Sequence, residues 1–296
     1  MMNQKKLKYI GIWILSIAIT LGAALFQRMT GPTNPKSISF TLAGKEYKTS
    51  LSRSLVIPPK LVIPPKSENP EQRRGHPSGL VFKIEDFPED AYITVYAKRF
   101  RTTDEWSFIT TGRRGDAFVA ALPVQPMAGK LSYYLNVSYK NESIDLFKDD
   151  PIVVRYRGDV PAWVMIPHIV LMFLAMLFST MAGLLALYRW DSFLRYAKLT
   201  LITLFIGGFI FGPIMQKFAF DVYWAGWPFG SDLTDNKTLV VFIFWLIAVL
   251  VSRTKKRYLW GVVAAIFMLL IYSIPHSTMG SEYDHSTGKV VSAPIE

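Results

Sequence analysis

The chain contains no cysteine, which removes disulfide scaffolds, thiolate zinc sites, iron–sulfur clusters, covalently attached haem and cysteine nucleophiles together. It has only four histidines, so a metal or haem would have to draw on those, on carboxylates, or on Met and Tyr. Charge is missing from a second place. Five apolar stretches, at about 9–26, 162–188, 199–215, 238–252 and 258–274, hold no Asp, Glu, Lys or Arg. Proton-coupled transporters, ion pumps and voltage sensors place ionisable side chains at membrane depth. Their absence here counts against those classes.

What is present fits a membrane protein with one sizeable soluble part. Half of the residues are apolar (51%) and 14% are aromatic, more than an ordinary soluble domain carries. The formal net charge of +11 invites a nucleic-acid reading, but its distribution argues otherwise. Lys5, Lys6 and Lys8 precede the first stretch. Arg189, Arg195 and Lys198 separate the second and third, and Arg253, Lys255, Lys256 and Arg257 separate the fourth and fifth. Placing all three clusters inside obeys the positive-inside rule and gives an N-in, C-out topology. The basicity is thus a topology signal, and no nucleic-acid partner is expected. The first stretch reads as a retained anchor, residues 1–27, because its apolar run exceeds that of a signal peptide.

Residues 28–160 change character and read as one extracytoplasmic domain. A hairpin is expected around Ala43-Gly44, followed by the tandem "LVIPPKLVIPPK" at 55–66, whose paired prolines exclude a central strand. Short runs with period-2 alternation then recur at 79–84, 91–100, 106–111, 117–124, 130–140 and 152–157, separated by turn residues. The pattern predicts an antiparallel sandwich. The run "AALPVQPMAGKLSYYLNVSY" resembles the late strands of immunoglobulin-like or fibronectin-III-like domains, a resemblance that implies a fold and no activity. No nucleophile–base set accompanies these strands.

The remaining segments, 161–275 with an outer loop at 216–237 and a tail at 276–296, hold the candidate functional residues. Six aromatics crowd the outer loop: Phe218, Phe220, Tyr223, Trp224, Trp227 and Phe229. They suit the headgroup region, a partner contact or a quinone-like pocket. Asp232 and Asp235 form the acidic end of this loop, where Asp235 or Thr234 is placed to cap the next helix. The tripeptide Ile-Pro-His occurs at 166–168 and again at 274–276, which puts His168 and His276 in the same leaflet. Two histidines from two helices at like depth are what haem b ligation requires. Alternatively, His276, Glu282, Asp284 and His285 offer oxygen and nitrogen ligands to a divalent metal. Against both stands the ordinary role of interfacial histidines as polar anchors, so no cofactor is expected by default.

The segments "FQRMTGPT" and "WAGWPFGSDLTDNKT", with the repeated Ile-Pro-His, resemble a family of bacterial multi-pass envelope proteins to which no activity is attached. The expectation is a five-helix transmembrane bundle with an all-β immunoglobulin-like sandwich inserted between helices 1 and 2. It sits in the bacterial inner membrane, with the large domain and the C-terminus in the periplasm. Its expected role is a non-catalytic accessory, scaffold or assembly subunit, with membrane proteins of an envelope complex and the lipid bilayer as partners. The alternative is a redox or metal-binding protein using His168 and His276.

Overall fold

The computed structural model describes residues 4–57, 78–275 and 280–292. The chain begins with helix α1 (Gln4–Thr30) and enters a β domain directly after it. Strands β1 (Lys36–Leu42) and β2 (Lys45–Leu51) form a separate hairpin. Its turn is tight because Ala43 and Gly44 both take positive φ, 49° and 77°, as the right-handed twist of a two-residue hairpin demands. Phe40, Leu42, Tyr47 and Leu51 of the hairpin are buried in the main β core.

The remaining strands are β3 (Ser54–Val56), β4 (Ser78–Lys83), β5 (Tyr92–Arg99), β6 (Ser107–Arg114), β7 (Ala117–Leu122), β8 (Lys130–Tyr139), β9 (Glu142–Leu146) and β10 (Ile152–Arg157). They form one sheet in the order β3-β10-β8-β5-β6-β7-β4, with β9 paired to β8. The two end strands β3 and β4 approach each other, so the sheet nearly closes. This corrects the expected immunoglobulin-like sandwich. The pair β3–β10 is parallel, and β6 pairs β5 through Ser107–Thr110 and β7 through Thr111–Arg114. One strand therefore serves both halves of the sheet, where a sandwich needs separate faces. Period-2 alternation specifies which residues face the core but not which strands are neighbours. The tandem's residues 58–66 and His76 lie outside the described residues.

Five apolar rods follow from α1, α2 (Ala162–Leu187), a long continuous third rod, α5 (Leu233–Leu250) and α6 (Arg257–Ser273). The third rod is α3 (Phe193–Leu204), a π-helical stretch (Phe205–Phe211) and α4 (Gly212–Phe220). Among the described residues four helices are long and apolar enough to cross a membrane: Gln4–Thr30, Ala162–Leu187, Phe193–Phe220 and Leu233–Arg253. This corrects the expected five equivalent spans: α6, with only 17 residues, is a shorter apolar helix at the lower limit for a span. It nevertheless runs beside the other four from Arg257 at one end of the bundle to Ile274 at the other. The third rod also starts six residues earlier than its apolar stretch, because Phe193, Tyr196 and Ala197 are buried within the bundle.

The bundle has two distinct ends. At one, Lys5 lies over the Trp190 ring, Tyr9 meets Tyr196, and Arg257 pairs with Asp191 at 2.8 Å. At the other, the Gln27 amide donates to Tyr272 O at 2.9 Å and Lys237 Nζ donates to Ile274 O at 2.9 Å. The β domain sits on this second end, where Gly158 N donates to Ala219 O at 2.9 Å. A Cβ at Gly158 would fall 2.1 Å from Phe218 O, so only glycine permits this approach of β10's exit to the third rod.

Candidate functional site

Polar groups converge where the β domain, the outer loop, the start of α5 and the C-terminal segment meet. The C-terminal segment itself is a hairpin, β11 (Ser281–Asp284) with β12 (Lys289–Ser292), turned at Gly288 with φ 69°. It is stitched to the β domain by Tyr283 N donating to Ala128 O at 3.1 Å.

Asp232 is the hinge of the junction. Its Oδ1 accepts from Thr234 N (2.9 Å) and Asp235 N (3.3 Å), which makes it the N-cap of α5 in place of the expected Asp235 or Thr234. Its Oδ2 accepts from Ser281 N (2.9 Å) and Ser281 Oγ (3.0 Å). One buried carboxylate thus ties the helix start to the C-terminal hairpin. Asp235 faces the loop instead. Its Oδ2 accepts from Ala225 N (2.7 Å) and Gly226 N (3.1 Å), while Asn236 Oδ1 accepts from Trp227 N (2.7 Å). The polar run at the start of α5 therefore pins the aromatic loop. A Cβ on Gly226 would fall 2.6 Å from Asp235 Cβ, which explains glycine there.

Glu282 joins the hairpin to the sheet. Its Oε2 accepts from Lys130 Nζ at 2.6 Å and lies 3.6 Å from Arg101 Nη1, with Lys130 and Glu282 only 17% and 12% exposed. Burial pushes the Lys130 ammonium below the usual lysine range, and the hydrogen bond to Glu282 opposes that shift. Arg155 of β10 donates to Ser281 O, and its guanidinium lies 3.9 Å over the Phe220 ring. Burial pushes Arg155 down to about 10, with Asp232 and Glu282 pulling the other way. It stays charged at neutral pH, and its flat face and fork satisfy a ring and a carbonyl at once.

The sequence candidates separate into several groups. Phe220 is covered by Arg155, Trp224 stacks on Phe209 at 5.6 Å, and Phe218 meets Trp163 edge-on at 6.1 Å. Tyr223, Trp227 and Phe229 remain exposed, Phe229 at 82%. His168 Nδ1 lies 2.9 Å from Gly207 O in the π-helical stretch, an oxygen that also accepts from Gly212 N–H. His276 lies outside the described residues. Asp284 is turned inward on its own hairpin, where Ser286 and Thr287 hold its carboxyl at about 2. His285 sits edge-on to Tyr283 at 5.1 Å, and burial, with Arg99 nearby, pushes its imidazole below the ordinary histidine value.

Glu282, Asp284 and His285 are thus engaged separately. Among the described residues no group of three or more His, Asp or Glu side chains is placed to hold a metal ion. Lys130 and Arg155 were absent from the sequence candidates, because their partners lie 152 and 126 residues away along the chain. The visible signal was Arg155 on the buried side of the strand "IVVRYR", two residues before a second arginine, Arg157.

Comparison with known protein families, with curated proteins and with solved structures returns no match. The functional reading therefore rests on the geometry of the junction.

Proposed function

We propose that the protein is a non-catalytic scaffold or assembly subunit of a bacterial inner-membrane complex, with its β domain clamped to the bundle and offered to partners. The observation that carries this reading is the buried charge cluster of Asp232, Glu282, Lys130 and Arg155. Its charged groups answer one another across three chain segments, as groups that fix an orientation do. The basic turns gathered at the opposite end of the bundle support a topology with the β domain and C-terminal hairpin in the periplasm. The segments resembling bacterial envelope proteins support the same setting.

Two aromatic surfaces supply the contacts in this reading. One is the outer loop, through Tyr223, Trp227 and Phe229. The other lies on the sheet, where Tyr96 stacks on Tyr134 at 4.8 Å, Trp106 meets Tyr134 at 4.9 Å, and Phe108 pairs with Tyr96 across strands while 72% exposed. Rigid aromatic clusters of this kind are favoured in binding sites because they bury large area at small entropic cost.

The test is purification of the intact chain in mild detergent, alongside Phe108→Glu and Trp227→Glu. Stoichiometric membrane-protein partners that at least one variant loses are the expected result. A monodisperse monomer with no partner crosslinked in native membranes contradicts the reading. The same preparation tests the alternative: a Soret band or bound metal lost in His168→Ala would replace the scaffold by a redox or metal protein.

A further inference from the structure

Two cavities lie between α1 and α2, near the end of the bundle that carries the β domain. The first, about 140 Å³, is bounded by α1, α2 and Tyr272 of α6, with His168, Gln27 and Thr20 on its walls. The second, about 270 Å³, is lined on α1 by Ile17, Thr20 and Leu21 and on α2 by residues from Ile169 to Leu177. Thr20, Ile169 and Phe173 line both, so the two form one groove. From His168 to Leu177 is nine residues of helix, about 13 Å of groove length. Its far part is wholly apolar side chain apart from Thr20.

The near part is not apolar. Thr20 is 5% exposed, and its hydroxyl has no hydrogen-bond partner among the described residues although it borders both cavities. A buried hydroxyl left unpaired costs about 1–3 kcal/mol, so a partner is worth having. His168 is fixed in one tautomer. Its Nδ1 faces the Gly207 carbonyl, which can only accept, so Nδ1 carries the proton and Nε2 is left as an acceptor. Among the described residues the Tyr272 hydroxyl donates to the Met172 thioether at 3.8 Å, a weak acceptor that a better one would displace.

We propose that this groove binds a single-chain amphiphile whose head bears a hydroxyl, the chain lying along α1 and α2 and the head between Thr20, His168 and Tyr272. This rests on the reading that the bundle lies in a bilayer, and concerns a site separate from the junction. The imidazole Nε2 accepts the ligand's O–H, and the hydroxyls of Thr20 and Tyr272 serve its oxygens. The shared chemistry is a hydrophobic chain ending in an alcohol or phenol, as in a prenyl quinol or in a glycerolipid with a free hydroxyl.

The probe is a photoreactive sixteen-carbon alcohol, compared with its methyl ether, applied to the full-length protein in native membrane vesicles. Carbonate-resistant membrane retention is measured first, so failure of the membrane reading is seen separately. Labelling is expected on the α1 and α2 peptides, at least tenfold stronger with the alcohol than with the ether, and at least tenfold weaker in Ala24→Phe, which fills the groove. Thr20→Val, which keeps the shape, is expected to weaken labelling by alcohol and ether alike without lowering the thermal midpoint, since the preference for the alcohol belongs to His168 Nε2. Competition by a prenyl quinol or by a monoacylglycerol identifies the source, and either supports the proposal. Equal labelling by alcohol and ether, or labelling undiminished in a folded Ala24→Phe protein, overturns it.

Discussion

The two ends of the bundle use the same side-chain chemistry in opposite solvent settings. At the end away from the β domain, Arg257 and Asp191 pair at 2.8 Å with 38% and 74% of their side chains exposed. At the junction, Lys130 and Glu282 pair at 2.6 Å with 17% and 12% exposed. Exposed pairs gain little because water screens them and ordering long side chains opposes them. Buried pairs contribute little net stability over apolar substitutes, yet losing one partner strands the other charge at a large cost. The basic end is therefore tolerant and the junction is not. The proposed clamp therefore predicts one arrangement of the parts wherever this charge stays buried.

Substitutions can break this comparison, and the largest effect is expected at Asp232. Asp232→Ala removes the helix cap and the anchor of Ser281, and leaves Arg155 with less compensating charge. A loss of about 3–5 kcal/mol is expected, read as a lower thermal midpoint together with rapid proteolysis of the C-terminal hairpin. Glu282→Gln should cost about 1–3 kcal/mol, since Lys130 keeps a neutral acceptor in place of a charge. Lys130→Met combined with Glu282→Leu should recover most of that loss, and the double-mutant cycle measures it. Gly226→Ala should cost about 1–3 kcal/mol by forcing Asp235 away from the loop amides it holds, seen as faster amide exchange at Ala225 and Gly226.

Two smaller effects sharpen the contrast from the other side. Arg257→Ala at the basic end should change stability by less than about 1 kcal/mol, and an effect as large as that of Asp232→Ala would dissolve the distinction. Asp284 supplies a pH signature without a large energy. Its carboxyl sits at about 2 in the folded chain, held by Ser286 and Thr287. Its contribution is present above the ordinary carboxylate value near 4 and is lost as pH falls through about 2. Protection of the Ser286 amide should persist at pH 4 and disappear near pH 2, while Asp284→Asn should flatten that profile.

The helices and several strands were legible because their signals are local. Charge-free apolar runs marked the rods, and Ala43-Gly44 marked a hairpin that needs positive φ at both positions. The near-closed sheet was not legible, because a parallel β3–β10 pair and a strand shared between both halves leave no trace in period-2 alternation. Strand β9 hid in a turn-rich segment beside β8. Glu282, Asp284 and His285 suggested ligands by residue type. Their true partners are Lys130 from the sheet, the hairpin's own turn and the Tyr283 ring. Gly288, in the turn between the short runs "SEYD" and "KVVS", was the missed clue to a hairpin. Asp232 was visible as an acid near a helix start, but its second role depends on Ser281, 49 residues later.

The clamp is most directly tested by measuring how the β domain sits on the bundle. The chain has no native cysteine, so spin labels can be attached at Asp90→Cys on the domain and Phe229→Cys on the outer loop without background. Pulsed dipolar spectroscopy should give one narrow distance distribution in the otherwise native chain and a broad one after Asp232→Ala. A broad distribution in the native background, or a narrow one that survives Asp232→Ala, would contradict the clamp.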